Sequence, residues 1–277
     1  MKVDAHHHFW DPTRRDYPWM GAELAAIRRP FGPDDLRPLL AQNHIDKTVL
    51  VQTVSSVDET REFLTTAAST DFIAGVVGWV DLTDGAVSRV IDGLRRGAGG
   101  DRLVGIRHQV HDEADPRWLL RDDVQRGIAS VGSAGLVYDL LVRSRQLPAA
   151  LETVRRHPDV RFVIDHAAKP RIAGGVWDGE WEKLLEPLAQ EPNVACKISG
   201  LVTEAEWSSW TTEQLQPYVD RVLGWFGPER SMFGSDWPVC LLAASYGAVV
   251  AATRSIARDD DAVFGETAMR VYGLDRL

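Results

Sequence analysis

Short apolar, β-branched runs alternate with longer amphipathic stretches along the whole chain, the pattern of consecutive strand–helix units around a parallel sheet. Eight runs read as strands: Lys2–Phe9, Lys47–Val54, Ile73–Val80, Leu103–Val110, Gly135–Val142, Arg161–Ala167, Val194–Leu201 and Ser231–Trp237. Eight stretches with helical spacing follow them: Leu36–Asn43, Arg61–Ala68, Ala86–Arg96, Asp122–Val131, Pro148–His157, Glu180–Gln190, Glu213–Phe226 and Ala244–Arg258. Gly32-Pro33-Asp34-Asp35 and Val57-Asp58-Glu59-Thr60 place Pro and acidic residues where a first helical turn favours them. Eight such units in 277 residues predict an α/β fold, a (β/α)8 TIM-type barrel, an architecture of about 250 residues. A doubly wound open sheet is the alternative, but no Gly-x-Gly-x-x-Gly follows the first run and no Gly-Lys-Ser/Thr phosphate turn occurs. No Pro-, Gly- or Ser-rich boundary divides the chain, so residues 1–277 read as a single domain, with Gly97-Ala98-Gly99-Gly100 as a helix-to-strand turn.

Composition narrows the partners. A hydrophobic share of 44% supports a substantial core, and 40 acidic against 31 basic residues, a formal charge of −9, argue against nucleic acid or an anionic membrane as partner. No run of 18 apolar residues occurs and the N-terminus carries no basic-then-apolar leader, so a soluble, cytoplasmic protein is expected, monomer or homodimer. Cys196 and Cys240 are not spaced as a metal or redox pair and read as buried, reduced thiols.

In a barrel of this kind, chemistry gathers at the C-terminal ends of the strands. The first run, Val3-Asp4-Ala5-His6-His7-His8-Phe9-Trp10, alternates so that Asp4, His6 and His8 share one face and Val3, Ala5, His7 and Phe9 the other. His6 and His8 then form a metal clamp or a proton-handling pair. Other strand ends carry Arg107-His108, Tyr138-Asp139, Asp165-His166, Lys197 with Ser199, and Ser235-Asp236. Alone, His166 reads as structural and Asp236 as a turn former before Trp237-Pro238. Together they read differently, because the first and eighth strands of a closed barrel are neighbours: His6, His8 and Asp236 fall within reach of one divalent ion, with His166 as a further ligand.

Asp4-Ala5-His6-His7-His8-Phe9-Trp10-Asp11, Asp165-His166-Ala167-Ala168-Lys169-Pro170 and Gly234-Ser235-Asp236-Trp237-Pro238 resemble the amidohydrolase superfamily, in its sugar-lactonase and pyrone-dicarboxylate-lactonase branch. The tail from Val263 to Leu274 is similar to that branch's closing helix, so the resemblance covers essentially the whole chain. It implies a distorted barrel that hydrolyses a cyclic ester, a small-molecule lactone, with Asp236 as base and His6, His8 and His166 around the reacting carbonyl. The chain departs from binuclear members in having Arg107-His108 where a metal-bridging Lys ends the fourth strand. At most one divalent ion, zinc, is therefore expected, and members of this branch work with one metal or none.

The residues suit this chemistry: a lactone needs an activated water, a base, and donors at the carbonyl oxygen as it gains charge. Arg107 and His108 are further candidates for substrate contact, although Arg107 could instead pair with Asp81 or Asp139. Trp10, Trp79 and Trp237 fall at strand ends, where an indole packs on a sugar ring, with Trp19, Trp177, Trp207 and Trp210 in the loops beyond. Lys169, Arg171, Arg14 and Arg15 are the cations available to a dicarboxylate. The tryptophans favour a polyhydroxylated lactone, such as fuconolactone or rhamnonolactone, over a flat dicarboxylate. The rival readings are a decarboxylase of an aromatic or enoic acid and a non-catalytic ligand- or metal-binding barrel.

Overall fold

The computed structural model describes residues 1–276. Among them are eight strands: β1 (Val3–His7), β2 (Lys47–Val51), β3 (Ile73–Gly78), β4 (Leu103–His108), β5 (Val137–Leu140), β6 (Phe162–Ile164), β7 (Val194–Ile198) and β8 (Ser231–Phe233). The helices are α1 (Pro33–Gln42), α2 (Val57–Ala68), α3 (Val87–Arg96), α4 (Asp122–Ser133), α5 (Leu147–Arg156), α6 (Gly179–Ala189), α7 (Leu201–Glu204), α8 (Thr212–Phe226), α9 (Tyr246–Ala257) and α10 (Thr267–Tyr272). Each predicted strand is present but shorter: all lose C-terminal residues, which bend out of the sheet, and β1, β5 and β6 also start one or two residues later than predicted. In β6 the bend is abrupt: the chain leaves at Ile164 into a left-handed run with φ of 53° at His166 and 48° at Ala167. The closing segment expected near Val263–Leu274 is a π-helical turn, Ala262–Glu266, running into α10.

Neighbouring strands pair in parallel in the order β1 to β8. The ring is drawn together beyond the end of β8, where Asp236 N donates to His6 O at 2.8 Å and His8 N donates to Trp237 O at 2.7 Å. This yields a nearly closed, distorted TIM barrel whose seam lies at the C-terminal ends of β1 and β8. Its lower interior is filled by small residues, among them Val3, Ala5, Val49, Val77, Val163 and Ala195, capped by Val271, Tyr272 and Leu274. Larger apolar side chains on the outward strand faces pack under the helices. Typical of those helices, α2 begins at Ser56, whose hydroxyl accepts from Glu59 N at 3.2 Å, and buries Phe63, Leu64 and Ala67. In the predicted glycine turn after α3, Gly99 sits at φ +66°, and a Cβ there would collide with the Leu64 carbonyl. Among the described residues no helix is long and apolar enough to cross a membrane. Cys196 and Cys240 are buried and unpaired.

The simple alternation expected for the first strand is corrected. Asp4 pairs with Thr48 and His7 with Leu50, so β1 takes three steps where β2 takes two. Such a β-bulge shifts the side-chain phase. Val3 and Ala5 therefore face the barrel interior, as do His6 and His8, while Asp4 and His7 face outward. Asp4 Oδ1 accepts from His6 N at 3.2 Å and from Ser235 N at 2.8 Å, and Oδ2 accepts from Tyr246 Oη at 3.1 Å. His7 Nε2 lies 2.8 Å from Thr48 Oγ1.

Candidate active site

A cavity of about 160 Å³ opens at the C-terminal face of the barrel, with His8, His166, Asp236 and Arg107 in its lining. His8 and Asp236 come from the β1–β8 seam and His166 from the turn after β6. That turn and the strand-eight end share an unusual backbone: His166, Ala167, Ala168, Lys169 and Asp236 all have positive φ. Non-glycine residues adopt this conformation rarely and at a cost, and they concentrate at functional sites. Opposite His166, Gly200 at φ +63° leaves room for the imidazole, since a Cβ there would come within 2.7 Å of Nδ1.

Three imidazoles converge on one carboxylate. Asp236 Oδ1 is 3.4 Å from His8 Nε2, 3.8 Å from His6 Nε2 and 3.9 Å from His166 Nε2. His6 and His8 bring their Nε2 atoms to 3.1 Å. His8 Nδ1 donates to the Val51 carbonyl at 2.8 Å, which fixes the proton there and leaves Nε2 as a bare lone pair. His166 Nδ1 lies 2.8 Å from Ser199 Oγ. Burial lowers the pKa of all three imidazoles, well below the usual value for His6 and His166, so they stand neutral. Burial pushes the Asp236 carboxyl up, but the neighbouring His166, His8 and Lys169 outweigh it and hold the group below its usual value. The result is an ionised acceptor among neutral nitrogens.

Beneath this quartet lies a buried ionic network. Lys197 Nζ donates to Asp139 Oδ2 at 2.6 Å and lies 2.9 Å from Asp165 Oδ1 and 3.2 Å from His6 Nδ1. Arg107 Nη1 donates to Asp165 Oδ2 at 2.9 Å and lies 3.2 Å from His6 Nε2. Gln52 Oε1 accepts from Arg107 Nε at 3.1 Å and Nη2 at 2.8 Å. Tyr272, reaching up from α10, donates to Asp139 Oδ2 at 2.8 Å. Burial pushes the Asp165 carboxyl up, but Lys197, His6 and Arg107 outweigh it and hold the group well below the carboxylate range. His6 is thus held from below by fixed charges and lies under the cavity floor instead of lining it.

The ligand atoms of His6, His166 and Asp236 lie within 4.8 Å of one another, and His8 Nε2 adjoins two of them. Neutral buried imidazoles with oriented lone pairs and one ionised carboxylate suit a divalent ion such as zinc.

Other sequence candidates are placed differently. Lys169 lines the cavity but donates to Glu204 at 3.0 Å. His108 faces away from the cavity: it accepts from Trp79 Nε1 at 3.0 Å, meets Glu113 at 2.7 Å and stacks on Trp118. Trp10 and Trp237 are buried in an aromatic cluster with Phe9, Phe31 and Tyr17, and Trp10 Nε1 donates to the Ile27 carbonyl. Arg14 and Arg15 line a separate open depression of about 710 Å³, and Arg171 pairs with Asp178. Arg107 pairs with Asp165, not with Asp81 or Asp139. The loops instead bring Trp19, Thr53, Gln109 and His111 to the cavity wall. The sequence marks Trp19 only as one of four loop tryptophans and gives no local signal for Thr53, Gln109 or His111, whereas Lys197, a charge inside the apolar run Val194–Ile198, is conspicuous.

The amidohydrolase family model matches residues 3–274. Two L-fucono-1,5-lactonases resemble the chain over nearly its full length. That of Burkholderia ambifaria is 42% identical over 285 residues, covering 100% of this chain and 97% of its own. That of Burkholderia multivorans is 40% identical over 289 residues, covering 99% and 96%. A solved structure of a Burkholderia multivorans amidohydrolase with bound zinc superposes with a TM-score of 0.93 at 38% identity, covering 99% of both chains. A parallel barrel with a His-x-His strand end, a strand-six His and a strand-eight Asp, matched by the family model from the first strand to the last helix, places this chain in the amidohydrolase family.

Proposed function

We propose that this protein is a cytoplasmic lactonase, acting as one domain across residues 1–277, that opens a sugar-acid lactone of the L-fuconolactone or L-rhamnonolactone type to its hydroxy acid. The carrying observation is the Asp236 carboxylate set among three Nε2 atoms at 3.4, 3.8 and 3.9 Å in a small cavity. The near full-length likeness to two L-fucono-1,5-lactonases supports the same substrate class.

In this reading Asp236 takes a proton from a water over the cavity floor, and the water oxygen bonds to the lactone carbonyl carbon. Charge gathering on the carbonyl oxygen is stabilised by the Arg107 guanidinium, held rigid by Gln52 and Asp165. The bond from that carbon to the ring oxygen then breaks. Asp236 returns its proton to the departing oxygen, which becomes the hydroxyl of the open acid. His8 and His166 orient water and carbonyl, and the network beneath keeps His6 in register. His6, His8, His166 and Asp236 would hold one zinc ion, which when bound supplies Lewis acidity and a more acidic water.

A panel of aldonolactones assayed with a pH indicator tests this reading. Acid release above the spontaneous rate is expected for at least one sugar lactone. Carbon dioxide release from carboxylic acids, with no lactone opened, would instead identify a decarboxylase.

A further inference from the structure

Arg107, Lys169, Asp112 and Asp236 are the charged residues in the cavity lining. Both cations are matched by a carboxylate: Arg107 by Asp165 at 2.9 Å and Lys169 by Glu204 at 3.0 Å. Neither anion has a Lys or Arg at ion-pair distance among the described residues. Asp236 stands among neutral imidazoles, and Asp112 faces His111 Nε2 at 3.3 Å, an imidazole that burial keeps neutral. A substrate entering the cavity thus finds its cations already paired.

Glu204 is the last residue of the short helix α7, and its side chain is only 12% exposed. One carboxylate oxygen accepts from Lys169 Nζ at 3.0 Å and the other from Arg143 Nη1 at 3.1 Å. Burial pushes this carboxyl up, but Lys169 and Arg143 outweigh it and hold it below its usual value, so it is ionised at neutral pH. The two cations are not equivalent. The Lys169 side chain is 13% exposed, lines the cavity, and lies where its charge is felt at both Asp236 and Asp112. Arg143 is 46% exposed, so solvent and salt screen it. Glu204 therefore cancels the one of the two that a bound substrate meets. It is also anchored independently of its charge, because its carbonyl accepts from Ile172 N at 3.2 Å and Ala173 N at 2.9 Å.

We propose that Glu204 sets the charge specificity of the site: by neutralising Lys169 it admits neutral lactones and turns away lactones that carry a carboxylate. This inference rests on the lactonase reading for its reaction. An unmasked ammonium in a small cavity attracts an anionic substituent strongly, because little water lies between them to screen the pair. With Lys169 masked by Glu204, the charges of Asp112 and Asp236 dominate and repel such a group. The same balance acts after ring opening, when the product is itself a carboxylate that a paired Lys169 does not retain.

Glu204→Gln keeps the size of the side chain and the backbone contacts while removing the charge, and Lys169→Gln removes the opposite charge. Each is compared on D-glucono-1,4-lactone and on D-glucaro-1,4-lactone, which ends in a carboxylate where the first ends in a hydroxymethyl group. Wild type should favour the neutral lactone. Glu204→Gln should raise the ratio of kcat/KM on the charged lactone to that on the neutral one by about tenfold, Lys169→Gln should lower it, and the double variant should return close to wild type. Added salt should shrink both shifts. A purely structural role for Glu204 would depress both substrates together; an unmoved ratio would therefore overturn the proposal, as would a raised ratio that survives the loss of Lys169. Should Glu204→Gln misfold, Lys169→Gln tests the same balance with the opposite sign. Calorimetric binding of D-gluconate, the opened acid, needs no turnover and should tighten about tenfold in Glu204→Gln. If wild type opens no lactone and this tightening is still seen, the charge screen stands and the hydrolase reading falls. Gluconate affinity indifferent to both substitutions would overturn the screen whether or not lactones are opened.

Discussion

Replacing Asp236 with Asn keeps the shape of the side chain that three imidazoles surround but removes its ability to take a proton. Asp236→Asn should therefore reduce kcat by about 10³-fold or more, on the scale of a lost general base combined with lost electrostatic stabilisation. Thermal melting should stay close to wild type; near-normal kcat in the folded variant would contradict the role of Asp236 as base. The same residues set the metal stoichiometry. With Arg107 engaged by Gln52 and Asp165, the end of β4 offers no bridging ligand for a second ion among the described residues. Zinc titrated into metal-free protein should saturate at no more than one ion per chain, and two ions by elemental analysis would overturn the single-site reading.

At the scale of the strand, the β1 bulge depends on Asp4, which accepts from His6 N, Ser235 N and Tyr246 Oη and so clamps the seam between the first and last strands. Burial pushes the Asp4 carboxyl up to about 6, despite those three donors. Because the folded pKa exceeds the unfolded one, the folded state holds the proton more tightly: the stabilisation is complete below the usual carboxylate pKa and is lost as pH rises to about 6. Folding stability with Asp4 ionised is thus roughly 3 kcal/mol lower than with Asp4 protonated in both the folded and the unfolded state. Asp4→Asn removes this titration. The stability of wild type relative to Asp4→Asn should fall by a few kcal/mol between pH 4 and pH 7 in denaturant melts, and a pH-independent difference would contradict the raised pKa. Asp4→Ala leaves two buried backbone N–H groups without their acceptor; it should cost about 2 kcal/mol or more and lower kcat as His6 and His8 lose their aim.

Across the whole barrel, a chain of contacts joins the last helix to the cavity: Tyr272 to Asp139, Asp139 to Lys197, and Lys197 to Asp165 and His6. Tyr272 also caps the small-residue interior at the opposite end from the site. Tyr272→Phe removes one donor from a fully buried carboxylate, so a loss of about 1–3 kcal/mol in stability is expected. A smaller fall in kcat should accompany it, with KM nearly unchanged, because the ring contacts survive and only the support under His6 is weakened. Unchanged stability would mean that Asp139 is satisfied by Lys197 alone.

The local pattern was enough to read the eight strand–helix units, because burial between a sheet and its helices imposes periods of two and 3.6 on neighbouring residues. It also located His6, His8, His166 and Asp236, since the polar groups ending apolar strands of a barrel fall on one face. What it could not contain was the phase of β1. The three-against-two register with β2 is a pairing across more than forty residues, and it turned Asp4 outward and His6 and His8 inward. Nor could it distinguish His108, Trp10 and Trp237, which strand ends carry but neighbouring elements absorb, from Trp19 and His111, which loop paths deliver to the cavity. A residue's secondary structure follows from its near neighbours in the chain. Whether its polar atom is already satisfied or free to meet a substrate depends on groups brought to it by the closed ring.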